Sequence, residues 1–402
     1  MPLIERNNRM ADIISGKSRF NGQKKQADSG KVIRLRSPEE EKDTLDEQYV
    51  KEKIKRHRRN VLVGCMITAV FILVLAALFL LDGRTYSQYT VLHSVNRDDT
   101  ESAKYEAFAD GYIRYSNDGA AYYNAKGIAE WNQTFSMQNP HIKVCGEWAA
   151  VGDVNGSTIY MFGVQGMVGS VDTSLSISQI EVAKQGIVAA VLEDTTANYI
   201  NLYNTDGSKI YTVKTTLAGD GYPLDISISE DATKLIASYL YVSGESIKTN
   251  VVFYNFSEVG QNETERVVGG FNHYDSTIVG DVEFLNSTTA VAVGEDVLSI
   301  YHIKEYPSLT KEIRIDSEIE RVFFGNGYIG IVLKNSDSGD IYKLVVYDTS
   351  AKEVCETTFN TQYDTIQFDG KSVLMSNAST FSVMNLKGKM LTTQNFDLPI
   401  ES

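Results

Sequence analysis

The feature that most limits what this chain can fold into is residues 61–81, VLVGCMITAVFILVLAALFLL, a run of 21 residues without a charge. At a rise of about 1.5 Å per residue it makes a helix of about 31 Å, which matches the hydrocarbon core of a bilayer. A buried helix of a soluble domain rarely runs this far without a polar face. The apolar core of a cleaved signal peptide is shorter and lies near the start of the chain. The run therefore reads as an uncleaved anchor. Lys51, Lys53, Lys55, Arg56, Arg58 and Arg59 precede it. Asp82, Gly83 and Arg84 follow, with Tyr86 and Tyr89 placed for an interfacial aromatic belt. The positive-inside rule then predicts a cytosolic N-terminus, one span of the cell membrane, and residues 82–402 outside. The span holds no ionisable side chain, so it reads as an anchor and not an ion path.

Charge divides at the span. Residues 1–60 carry 16 Lys+Arg against 10 Asp+Glu, and residues 82–402 carry 22 against 42, a net of −20. Phosphate backbones are repelled by such a body, which excludes nucleic acid as a partner. Cys145 and Cys355 are 210 residues apart, which gives no disulfide framework; two buried thiols are the expectation, with one long-range bridge the alternative. His93, His141, His273 and His302 form no cluster at metal-ligand spacing, and no metal or cofactor is expected.

On the N-terminal side, residues 1–37 are polar and without periodicity, and are predicted to be a disordered cytosolic tail. Ser37 as cap, Pro38 at the first helical position and Glu40 three residues after the cap predict a helix start. Glu47 with Lys51 and Glu52 with Arg56 are favourable i,i+4 pairs. A basic juxtamembrane helix is thus expected over 38–60, running into the span at 61–81. Residues 82–104 are left as a stalk or an extra edge strand, and 105–402 as the extracytoplasmic domain.

That domain is built from short Val, Ile, Tyr, Phe and Thr runs broken by Gly, Asn and Asp, a strand signature. The runs repeat. Each unit reads as an apolar strand, a turn, a second strand, a polar turn and a third strand, with a further apolar strand in front. YIRYSNDG, AAYYNAKG and IAEWNQTF open the series. The polar turns at Gly127, Gly166, Gly207, Gly260, Pro307, Ala351 and Gly388 recur at intervals of 37 to 53 residues. The leading strands are YEAFADG, IKVCGEW, SQIEVAK, LDISISE, VGDVEFL, ERVFFG and DTIQFDG. Seven units of four strands predict an all-β, seven-bladed β-propeller. Six or eight blades are the nearest competitors, and a sandwich array or an open solenoid the other architectures.

Propeller ligands meet the channel mouth, so the loops entering the leading strands are the first places to look. Residues 219–225, GDGYPLD, offer Tyr222 between Asp220 and Asp225, a combination able to grip a peptide or sugar. The plainer reading is a glycine-assisted turn with Tyr222 packed beneath it. Asn139 and His141 occupy the equivalent loop one unit in from the start. Asp153 with Asn155, and Asp337 with Asp340, lack the full spacing of a calcium loop and read as hairpin turns. No Ser/His/Asp set, zinc motif or phosphate loop stands out.

The turn at Ala125-Lys126-Gly127 followed by Trp131 resembles the Gly-x-x-x-Trp unit of quinoprotein-type propeller blades, with Gly207 and Tyr211 as an echo. More broadly, the order of features resembles an uncharacterised family of single-pass membrane proteins from Gram-positive bacteria, a domain of unknown function. Those features are a basic tail, one span, then YSNDG (115–119), Trp131 with Asn139-Pro140, GDGYPLD (219–225) and FYNF (253–256). The resemblance implies location and propeller shape, and carries no activity. The expectation is a membrane-anchored module that binds or scaffolds an envelope protein, peptide or polymer and is not an enzyme. A propeller hydrolase or quinone-dependent oxidoreductase, and a transmembrane sensor, are the alternatives.

Overall fold

The computed structural model describes residues 38–82, 85, 86, 90, 103–274, 277–335 and 339–396. The expected disordered tail, the Ser37 cap, Arg84, Tyr89, most of the 82–104 segment and Asp337 lie outside those residues. The chain divides after residue 83 into two units.

The first contains one helix, Pro38–Asp82, of 45 residues, about 68 Å long at the standard rise. It is continuous through the juxtamembrane and apolar parts, as expected. Glu47 and Lys51 pair at 3.1 Å. Across Glu47–Ala76 the helix is apolar enough to cross a membrane, and none of its most apolar stretch is buried.

The second is a seven-bladed β-propeller. Seven sheets, at 104–134, 140–172, 176–216, 222–274, 279–314, 319–359 and 365–395, each hold four strands in sequence order. Neighbouring strands are antiparallel throughout, so every blade is a plain meander. The first strand of each blade lies innermost. Side chains on these strands bond the backbone of the next: Gln179 Nε2 to Leu224 O at 2.6 Å, Val282 N–H to Asp225 Oδ2 at 2.8 Å, and Phe284 N–H to Ser227 Oγ at 2.9 Å.

Strand alternation explains why the middle strands read as continuous apolar runs. Successive side chains point to opposite faces of a sheet, and each blade is covered on both. In blade 3, Ala189 and Val191 join the core shared with blade 4, while Val188, Ala190 and Leu192 join the core shared with blade 2. Six such cores fill the seams from blades 1–2 through blades 6–7. The seam between blades 7 and 1 is built differently. The face of blade 1 turned from blade 2 carries half-buried Tyr112, Arg114 and Tyr123, with the two rings stacked at 5.2 Å. Blade 7 offers half-buried Leu374 and Val383 on the face opposite its blade 6 core.

Every blade uses four consecutive strands, so the described sheets share no strand between the two ends of the chain. One hydrogen bond ties the segment before blade 1 to the far end: Tyr86 N–H donates to Leu391 O on the outermost strand of blade 7, at 2.7 Å. At that residue the segment behaves as the edge-strand alternative.

Opening should start at the least apolar seam. Native-state hydrogen exchange is expected to be fastest in the second and third strands of blades 1 and 7, and slowest in those of blades 3, 4 and 5. Uniform protection across all seven blades would contradict this.

Candidate functional site

The propeller has two faces. One carries the loops that enter the innermost strands, and the other carries the turns between first and second and between third and fourth strands. The expected ligand residues lie on the first. Asp220 closes its own turn, accepting from Thr216 N–H at 2.8 Å and Thr216 Oγ1 at 3.1 Å. Tyr222 is 41% exposed, not packed beneath the turn, and its hydroxyl donates to Glu193. Asn139 is held through its backbone N–H, which donates to Asp153 Oδ1 at 2.8 Å. That oxygen also takes the N–H of Gln138, so Asp153 is a turn cap. Asp340 likewise accepts from Thr358 Oγ1, at 2.5 Å.

Asp225 and His141 are placed differently, because both sit on innermost strands. Asp225 belongs to a charged cluster drawn from the innermost strands of blades 2 to 5: Lys143, Glu181, Asp225, Asp281 and Glu283. Their mutual interaction across four consecutive blades places them around the axis. Lys143 and Glu181 form an ion pair. Asp225 and Asp281 lie close enough for each carboxyl to influence the other. Burial disfavours the charge on Lys143, but Glu181, Glu283 and Asp225 outweigh it and hold its pKa above the ordinary lysine range. His141 is pushed down, by burial and then by Lys104 and Lys143. One lysine faces four carboxylates, and the carboxylates respond. Burial, joined by the negative charges of Asp281 and Glu181, pushes Asp225 up to about 8. Burial and then Glu181 push Glu283 up to about 8. Glu181 and Asp281 are raised chiefly by burial. Among the described residues, no group of three or more His, Cys, Asp or Glu is arranged to hold a metal. Cys145 and Cys355 are free thiols.

A cavity of about 220 Å³ opens where the innermost strands end, on the face opposite the expected loops. Ile228, Phe284, Leu285 and Phe324 give it an apolar wall, and Glu181, Glu230 and Glu283 add carboxylates. Glu181 is paired with Lys143, and Glu230 with Lys184 at 3.0 Å.

Sequence reading thus reached Asp225 and His141 and missed Lys143, Glu181, Asp281 and Glu283. The signal was present as a polar residue inside an otherwise apolar leading strand: IKVC, QIEV, LDIS, DVEF. A strand with one edge on the central channel produces that pattern.

Residues 82–402 match the model of a family of unknown function, DUF5711. The chain belongs to that family. No curated protein matches this DUF5711 chain. Among solved structures it is similar to the dihydro-heme d1 dehydrogenase NirN in complex with DHE, at 14% identity and a TM-score of 0.50. The match covers 73% of this chain and 66% of NirN, so just under two thirds of that chain's length. It is also similar to a eukaryotic initiation factor, at 11% identity and TM-score 0.48, covering 75% and 78% of the two chains. Kluyveromyces lactis Hsv2p matches at 11% and 0.48, covering 73% and 99%. At these identities the NirN likeness shows the propeller fold alone.

The raised carboxyls make the stability of the DUF5711 propeller depend on pH. Asp225 and Glu283 keep their protons to about pH 8 when folded and lose them near pH 4 when unfolded. Folding therefore takes up protons between about pH 4 and pH 8, and stability falls as pH rises across that window. Thermal unfolding of the detergent-solubilised chain should show a melting temperature that declines from pH 5 to pH 8. The doubly substituted Asp225→Asn, Glu283→Gln chain should lose most of that slope. Parallel pH profiles for the two chains would contradict the assignment.

Proposed function

We propose that the chain is a membrane-anchored, extracytoplasmic binding or scaffolding module of the cell envelope, and that its propeller receives a basic group of a protein or peptide partner. The observation that carries the reading is the cavity at the channel end. It pairs an apolar wall with Glu283, whose carboxylate has no hydrogen bond or ion pair among the described residues. Such a cleft suits the stem and head of a lysine or arginine side chain, which buries its methylenes and keeps its charge paired. A cation entering would replace the protons that now neutralise the carboxylates. The acidic body, at −20, would speed the approach of a basic partner. The flanking charges and the exposed apolar helix support a single span with the propeller outside.

A second reading draws on the Asp225–Asp281 pair. Two neighbouring carboxyls, both with raised pKa, have the proximity of the acid/base pairs of hydrolases. Against it, Asp225 Oδ2 accepts the Val282 N–H and so joins blade 4 to blade 5. That is a structural duty for the same oxygen.

The test is crosslinking in intact cells, comparing the parent chain with Glu283→Gln and Glu230→Gln. One basic envelope protein should be recovered with the parent. Losing a charged hydrogen bond costs about 1.5–3 kcal/mol, so affinity, and recovery with it, should drop at least roughly 10-fold with Glu283→Gln. Equal recovery with all three chains would move the contact elsewhere. Turnover of a model peptide or glycoside, abolished by Asp281→Asn, would favour the hydrolase reading instead.

A further inference from the structure

A second pocket lies away from the axis, between blades 1 and 2, on the same face as the channel-end cavity. It has a volume of about 250 Å³ and is lined by Asp110, Tyr122, Asn124, Glu130, Trp131 and Gln165, with Val164. Blade 1 supplies all of these except Val164 and Gln165, which form the two-residue turn between the third and fourth strands of blade 2. We propose that this pocket is a saccharide-binding site that takes one sugar residue of a neutral, polyhydroxylated ligand.

The argument rests on which hydrogen-bonding groups are committed and which are free. The Tyr122 hydroxyl donates to Asp110 Oδ1. Asn124 Nδ2 donates to Glu130 Oε1 at 2.5 Å, while Asn124 Oδ1 accepts the N–H groups of Lys126 and Ile128 at 2.9 and 3.1 Å. Each carboxylate is thereby fixed through one oxygen and leaves the other as an acceptor. The Gln165 amide has no partner among the described residues, and the buried Trp131 indole N–H has none either. Fixed acceptors beside an uncommitted amide suit a ligand whose groups both donate and accept, which is the property of a hydroxyl. Hydroxyl donation to a carboxylate is also among the stronger hydrogen bonds.

An ammonium group could use the carboxylates, but it carries only donors and so makes no use of the NH₂ of the Gln165 amide. Apolar surface for the ring's C–H face comes from Trp131 and Val164. Trp131 is held in place by stacking on Phe162, with centroids 4.9 Å apart and planes at 7°. Phe162 belongs to blade 2, so the seam itself preorganises the site, which lowers the ordering cost of binding. The Asn124–Ile128 turn depends on Gly127 at φ +70°, which other residues rarely adopt. The Gly127–Trp131 spacing therefore places both the turn and the ring.

The chain has two tryptophans, Trp131 and Trp148, so Trp148→Phe leaves Trp131 as the sole reporter. The test is fluorescence of that full-length chain in lipid nanodiscs, which avoids glycosidic detergents. Glucose, galactose, N-acetylglucosamine and rhamnose are titrated separately to roughly 50 mM, well above a Kd of about 1 mM. At least one should give a saturable change in Trp131 emission. Gln165→Ala and Asp110→Asn should weaken it about tenfold with the melting temperature unchanged. Gln165 is exposed, and an asparagine at 110 still accepts from Tyr122. Glu283→Gln should leave the response intact, since the channel-end cavity is a separate site. The proposal is overturned if no sugar changes the emission, if choline or lysine does so in their place, or if both variants respond like the parent.

Discussion

Every blade of this propeller is an apolar sheet that must be covered on both faces, and most of the structure follows from that requirement. A two-residue period sends alternate side chains of one strand into two different seams. Val188, Ala190 and Leu192 pack toward blade 2, and Ala189 and Val191 toward blade 4. A blade alone would expose both apolar faces to water, at roughly 25 cal/mol for each Å². Stacking solves the problem for every blade but those at the two ends, and closure into a ring solves it for them. The outer face of blade 1 carries half-buried tyrosines, with Arg114 over the Tyr123 ring, in place of an aliphatic core. The bond from Tyr86 to Leu391 adds a backbone tie between the ends of the domain.

Closure creates the channel, and the channel sets the electrostatics. The inner edge of each first strand has no strand partner, so its polar groups must find other ones. Asp225 and Ser227 take the N–H groups of Val282 and Phe284, bonding blade 4 to blade 5 through side chains. A carboxylate suits that task as an acceptor, but several of them around one axis repel each other. Lys143 offsets part of the charge; burial first, and then the neighbouring carboxylates, push Asp225 and Glu283 up to about 8, so retained protons offset more. The same groups that hold the seam thus leave the channel short of positive charge.

Much of the architecture was legible in the sequence because it is written locally. The uncharged run at 61–81 and the Glu47–Lys51 spacing specify a helix without reference to anything distant. The turn glycines and alternating runs specify meanders, and their recurrence specifies the number of blades. The charged cluster was not legible in that way. Lys143, Glu181, Asp225 and Glu283 stand about 40 or more residues apart, one to a blade, and only ring geometry makes them neighbours. The loop at 219–225 drew attention through its composition instead. Its Asp220 turned out to cap Thr216, and of its side chains only Asp225 reaches the cluster at the axis. Closure of the ring could not be read either, since nothing local in the sequence pairs Tyr86 with Leu391, 305 residues away.

The two faces of the propeller spend their polar side chains differently, and this bears on where a ligand can be met. On the face with the entering loops, the conspicuous side chains are consumed in holding those loops. Asp153 takes two backbone N–H groups, Asp220 takes Thr216, and the Tyr222 hydroxyl is committed to Glu193. A side chain whose hydrogen bonds are already made must lose them before it can serve a ligand, and the exchange yields little net energy. On the opposite face, Glu283 at the channel-end cavity and Gln165 at the pocket between blades 1 and 2 have no hydrogen bond or ion pair among the described residues. Recognition gains most from groups that are fixed in place yet uncommitted. By that criterion the face carrying the turns between first and second strands is the better suited of the two to a ligand, although its sequence is the less conspicuous.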